Sequence, residues 1–167
     1  MTEGEITPRP VSAPSLGDHL TIFGVSLSLL VFQIALTRVL SVVVWYHFAS
    51  LTISLVMLGI AVPGVWFARV KNPVRLLPAC LLASGALVPL SVVVIVKAGS
   101  LLLDSSVVWI ILAVLPAMIA MGAVICLLLI KAEGPSIGRM YGADLLGACL
   151  GAFAVIPLLH VVPTPAL

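Results

Sequence analysis

Charge is scarce in this sequence. Eight Lys+Arg and six Asp+Glu make 8% of the 167 residues, where soluble domains carry about 25%. Hydrophobic residues make 62%. That leaves too little polar surface to face water on all sides, which excludes an ordinary water-soluble fold. The net charge of +2 is accounted for by cations flanking the apolar segments, so nucleic acid is not an implied partner. Cysteine is scarce as well. Cys80, Cys126 and Cys149 lie inside apolar segments without CxxC spacing. They read as small buried residues, not as metal ligands or disulfides. A Gly-rich phosphate loop, a metal-ligand cluster and a nucleophile–base pair are all missing from the sequence. No cofactor, metal or enzymatic activity is therefore expected.

What is present is oil, in blocks of roughly the ~20 residues that a helix needs to cross a bilayer. Five such segments fall at about 20–43, 47–69, 76–97, 106–130 and 140–162. The expected fold class is all-α, a polytopic transmembrane helix bundle of about five spans. Residues 1–18 form a polar, proline-containing stretch that reads as a disordered tail, leaving 19–167 as the transmembrane domain. Asp18 is placed to cap the first helix. Breaks come at "ARVKNPVR" (68–75), "KAGSLLLDSS" (97–106) and "KAEGPSIGR" (131–139). The weakest break is "WYHF" (45–48), where only amphipathic aromatics mark an interface.

Lys and Arg set the expected orientation. With the amino terminus cytoplasmic, Arg9, Arg69, Lys71, Arg75, Lys131 and Arg139 lie inside, and Lys97 alone lies in an outer loop. The expectation is a multi-pass protein of the inner (plasma) membrane, N-terminus in and C-terminus out. Trp45, Tyr46 and Trp109 then fall at the outer interface, and Trp66 and Tyr141 at the inner one, where such rings prefer to sit. Pro63, Pro89, Pro116 and Pro157 lie inside spans. They read first as packing kinks and second as breaks around a solute site.

Few side chains stand out against this background. Arg38 sits about 18 residues into the first segment, or roughly 27 Å at 1.5 Å per residue. An arginine at the membrane centre costs about 2.5–3.5 kcal/mol. Near the headgroups its stem can snorkel, or its fork can meet a lipid phosphate or a partner chain. Gln33, deeper, can join helices by hydrogen bonds. Asp144 is expected near the inner edge of the fifth span, close to Arg139, Lys131 or Tyr141 and too far from Arg38 to bridge to it. No Asp or Glu is then expected mid-span. His47 and His160 could in principle hold haem, but neither falls mid-span and no second pair exists. Interfacial hydrogen bonding is the better reading. In "YGADLLGACLGAFA" the small residues Ala143, Gly147 and Gly151 recur every fourth position, beside Asp144, Ala148 and Ala152. Such a stripe lets two helices approach closely.

"FQIALTRVLS", "LVMLGIAVPG" (55–64) and "IGRMYGADLLGACLGAFAVIPLL" (137–159) resemble the membrane domain of bacterial spermidine-synthase-like integral membrane proteins, the fused transporter/spermidine synthase type. The positions that carry the resemblance are Gln33, Thr37, Arg38, Ile137, Gly138, Arg139, Tyr141, Asp144, Gly147 and Gly151. Members of that family continue into further spans and an aminopropyltransferase-like domain with a Gly-rich turn and a catalytic Asp. Neither motif occurs in this chain. The resemblance thus implies a membrane module and does not carry over polyamine synthesis.

Three functions compete. The leading expectation is a non-catalytic membrane subunit or scaffold that packs against other membrane proteins and lipids, with Arg38, Gln33, Gly147, Gly151 and Asp144 as its contact residues. The alternative is a transport or solute-binding module for a polyamine or other small cation. The last is the membrane anchor of an aminopropyltransferase-like protein. A cavity lined by Asp144, Gln33 and the helix prolines would favour transport.

Overall fold

The computed structural model describes residues 14–43, 49–101, 106–132 and 134–161. They form five α-helices: α1 Leu16–Val43, α2 Ala49–Phe67, α3 Leu77–Leu101, α4 Ser106–Lys131 and α5 Ser136–Val161. A 3-10 turn, Pro73–Leu76, precedes α3. There is no strand among the described residues. Each helix is long and apolar enough to cross a membrane, and the chain is an all-α, multi-pass membrane protein. Helices are forced on such a sequence. Lipid offers no partners to backbone N–H and C=O groups, so each segment must satisfy its own.

The helix ends show how the sequence sets these limits. Ser15, not Asp18, caps α1. The Asp18 N–H donates to Ser15 Oγ at 3.3 Å, and the Ser15 N–H donates back to Asp18 Oδ2 at 2.8 Å. This reciprocal box satisfies two orphan amides and starts the helix at Leu16, before the position expected from hydropathy. The remainder of the expected disordered tail, residues 1–13, lies outside the described residues. Between α2 and α3, Asn72 (φ −144°, ψ 69°) stays out of the helical region ahead of Pro73, which opens the 3-10 turn, because the ring of a proline disfavours a helical predecessor. Gly134 takes the left-handed φ of +57° between α4 and α5. That conformation is cheap only for glycine. Pro135 follows, and α5 begins at Ser136, again earlier than hydropathy indicated.

Helix α4 is the centre of the bundle. It packs against α1, α2, α3 and α5, and 61% of its apolar window is buried against 6% for α3. Its sequence explains the place it takes. "LPAMIAMGAVICLLL" is apolar all round, as a helix enclosed by others must be, and Ala117, Ala120, Gly122 and Ala123 keep it thin. The core joins Val114, Met118, Met121, Val124 and Leu128 of α4 to Ile22, Leu29, Phe32 and Leu36 of α1, Leu55 and Val56 of α2, and Met140 of α5. Because lipid tails are as apolar as leucine, this core is held by close packing more than by exclusion of water.

The "WYHF" break lies outside the described residues. Even so, α1 and α2 pack on one another, so they are two helices and not one long one. The helices run through Pro63, Pro89, Pro116 and Pro157. Pro63 removes the amide that would bond the carbonyl of Gly59. That carbonyl oxygen faces Gly122 of α4, at the spot where a Cβ would stand. The neighbouring helix thus meets the freed oxygen with a Cα–H group, a weak but recurrent contact. Of the cysteines, all expected to be buried, Cys80 and Cys126 are half-buried and Cys149 is exposed on α5.

Candidate functional site: the α1–α5 seam

Gly147 and Gly151 bring α5 onto α1. A Cβ at Gly147 would run into the carbonyl oxygen of Phe23, and one at Gly151 would lie 2.7 Å from that of Leu27. Position 147 opposes 23 and 151 opposes 27, so the two helices run parallel. The small-residue stripe therefore makes an intra-chain contact. Without side chains on α5 at these two points, backbone meets backbone, which is the geometry such stripes permit in membranes.

The structure corrects the expected partners of Asp144 and the start of its helix. It lies eight residues past Ser136, the first residue of α5, or about 12 Å along the helix. The apolar window of α5 runs Ser136–Pro157, so Asp144 is within a turn of its middle. Its partner is none of Arg139, Lys131 and Tyr141. Ser26 Oγ of α1 donates a short hydrogen bond to Asp144 Oδ1. Ser26 itself is buried and stands one residue from the middle of the Leu16–Arg38 window. A carboxyl group and a hydroxyl thus meet near the middle of the two apolar windows, beside the glycine contact. Hydropathy sets the start of the fifth segment at about residue 140, and the helix begins four residues earlier.

Lys131 is engaged elsewhere. Its Nζ reaches Asp18 Oδ2 at 2.8 Å and Oδ1 at 2.9 Å, a largely buried pair. Asp18 lies in the first turn of α1 and Lys131 in the last turn of α4. Each charge also suits the dipole of its own helix end. Asp18 and Lys131 therefore pin the start of α1 to the end of α4. The sequence signal was present in Ser15-x-x-Asp18, but the lysine partner required the fold.

Gln33 and Arg38 are not brought to Asp144. Gln33 is half-buried, seven residues beyond Ser26 on α1, and Thr37 Oγ1 donates to its carbonyl at 2.9 Å. Arg38 is exposed at the last position of the apolar window of α1, an end-of-span place from which its head can leave the core. His47 and the side chain of His160 lie outside what is described. Among the described residues no group of three or more His, Cys, Asp or Glu is placed to hold a metal.

A second close contact was missed in the sequence. Gly59 of α2 abuts Met118 of α4, where an added Cβ would lie 2.8 Å from Met118 Cβ, and Gly122 abuts Gly59 in turn. Cys126 Sγ reaches the carbonyl of Ile60 at 3.7 Å. The stripe Met118, Gly122, Cys126 has fourfold spacing, but only one member is a glycine, so it lacks the paired signal of Gly147 and Gly151. Two open grooves flank α3. One, of about 490 Å³, lies towards α1 and is lined by residues that include Gly24, Ser28, Ser84 and Pro89. The other, of about 340 Å³, lies towards α2. Asp144 and Gln33 line neither.

Compared with protein-family models, curated proteins and solved structures, the chain has no match.

Proposed function

We propose that this protein is a non-catalytic integral membrane subunit that packs through α3 against another membrane protein. The observation that carries the reading is the position of α3. It packs on α4, with 6% of its window buried, and turns Leu82, Val93 and the small residue Ala86 outward. The polar pair Ser26–Asp144 supports the same reading, because it fastens two helices of the chain and lines neither groove. A photo-reactive residue at position 82 or 93 should capture one defined protein in cells, while one at Leu146, exposed on α5, should capture lipid alone. Lipid capture from all three positions would sink the proposal. The orientation proposed is N-terminus cytoplasmic, from the cation bias. A cysteine placed at Thr164 should then react with an impermeant reagent in intact cells, and one at Thr7 should not.

One observation favours a second reading. A carboxyl group inside a span is what transporters of small cations place at their sites, and Asp144 lies within the apolar window of α5. Uptake of a polyamine into vesicles holding the protein, lost in Asp144→Asn, would support transport over the subunit role. The likeness to spermidine-synthase-like membrane domains is compatible with either reading and is proposed only for the membrane module.

A further inference from the structure

Helices α2 and α3 are joined by the short turn at residues 68–72, yet they scarcely touch, because each packs on α4 instead. The wedge left between them is the groove of about 340 Å³. Pro63, Trp66 and Phe67 of α2, Cys80, Ala83 and Leu87 of α3, and Pro116 and Ala123 of α4 are among its walls. The lining is apolar throughout. Along α3 it extends from Cys80 to Leu87 and along α4 from Leu115 to Ala123, or about 10–12 Å at the helical rise. The groove meets the end of the α2 window at Trp66 and Phe67, and on α3 and α4 it lies across the middle of the Pro73–Ile95 and Ile111–Lys131 windows.

The end of the groove at Trp66 is marked by charge. Trp66 is exposed and stacks on Phe67, with ring centroids 5.9 Å apart, and the turn that follows carries Arg69, Lys71 and the 3-10 residue Arg75, all exposed. No Asp or Glu occurs anywhere between Asp18 and Asp104, and Asp18 is already held by Lys131. We propose that this groove holds one acyl chain of an anionic phospholipid whose phosphate sits on the Arg69–Arg75 turn. The match is one of chemistry. Guanidinium groups bind phosphate oxygens in a planar fork, basic clusters beside spans attract anionic lipid, and the wall below them is wholly apolar. Ala83 and Ala123 leave the width that a chain needs, and Trp66 stands at the interfacial depth where indole prefers to lie.

Trp66 is also the reporter. With Trp45→Phe and Trp109→Phe, it becomes the one tryptophan, since the sequence has three. The protein is reconstituted in phosphatidylcholine vesicles containing a fixed fraction of lipid with brominated chains, carried on either phosphatidylglycerol or phosphatidylcholine. Brominated phosphatidylglycerol should quench Trp66 more strongly. The triple variant R69Q/K71Q/R75Q should lose that preference, by up to roughly fivefold in relative affinity for each charge removed. Ala83→Phe, which fills the groove, should weaken quenching by both lipids. Salt offers a check that needs no variant in the turn. Raising ionic strength from about 0.01 to about 1 M shortens the screening length from about 30 to about 3 Å and should erase the preference. Equal quenching by the two headgroups at low salt, or a preference that survives high salt, overturns the phosphate site. Quenching unchanged by Ala83→Phe overturns the groove.

Discussion

The α2–α4 and α1–α5 contacts are both parallel and both made by glycine, but they are fixed by different means. At α2–α4 the contact is apolar. Gly59 and Gly122 meet in the middle of the bundle, and the carbonyl that Pro63 frees is covered by Gly122. At α1–α5 two glycines on one helix lie against the backbone of the other, and Ser26 and Asp144 add a hydrogen bond beside them. The difference follows from surroundings. Helix α4 is enclosed, so its packing alone sets its rotation. Helix α5 has lipid on much of its surface, with 22% of its window buried, and a helix held on one side can rotate or slide. A directional bond at mid-span removes that freedom. In lipid such a bond adds only about 0.6 kcal/mol on average, so its contribution is chiefly to register.

This comparison can be broken by substitution. Gly122→Leu should have the largest effect, a loss of about 3 kcal/mol or failure to assemble, because the new side chain would meet backbone in the most enclosed helix. Reversible unfolding in mixed detergent micelles measures it. Gly147→Leu should cost less, about 1–2 kcal/mol, because α5 can move outward into lipid. A cysteine pair reporting the α1–α5 spacing should show that movement, with the α2–α4 spacing unchanged. If Gly147→Leu proves as damaging as Gly122→Leu, the two seams are equally rigid and the contrast fails.

The smallest effect should come from Asp144→Asn, within about 1 kcal/mol of the parent, since an amide oxygen still accepts from Ser26. Asp144→Leu removes the acceptor and should loosen the register of α5 more than it lowers stability. Cross-linking between cysteines at paired seam positions would then spread over neighbouring registers. A single sharp register in Asp144→Leu would show that the glycines suffice and that the carboxyl group is there for something else.

Much of this protein was written in its composition. Five apolar blocks of bilayer length, with cations and turn residues between them, dictate five helices, because lipid leaves an unpaired backbone no alternative. Gly147 and Gly151 announced a close helix contact through their spacing. The partner they chose was not legible, since a small-residue stripe accepts any neighbour of suitable shape. Only the tertiary structure decided that α1 lies there and that Ser26 therefore meets Asp144. The start of α5 was not legible either, because hydropathy marks where oil begins, whereas Gly134 and Pro135 mark where the helix begins. The central place of α4 and the Asp18–Lys131 pair were likewise decided by assembly. Hydropathy records a preference for lipid or protein without distinguishing the two, and the choice is made only when five helices compete for the same small faces.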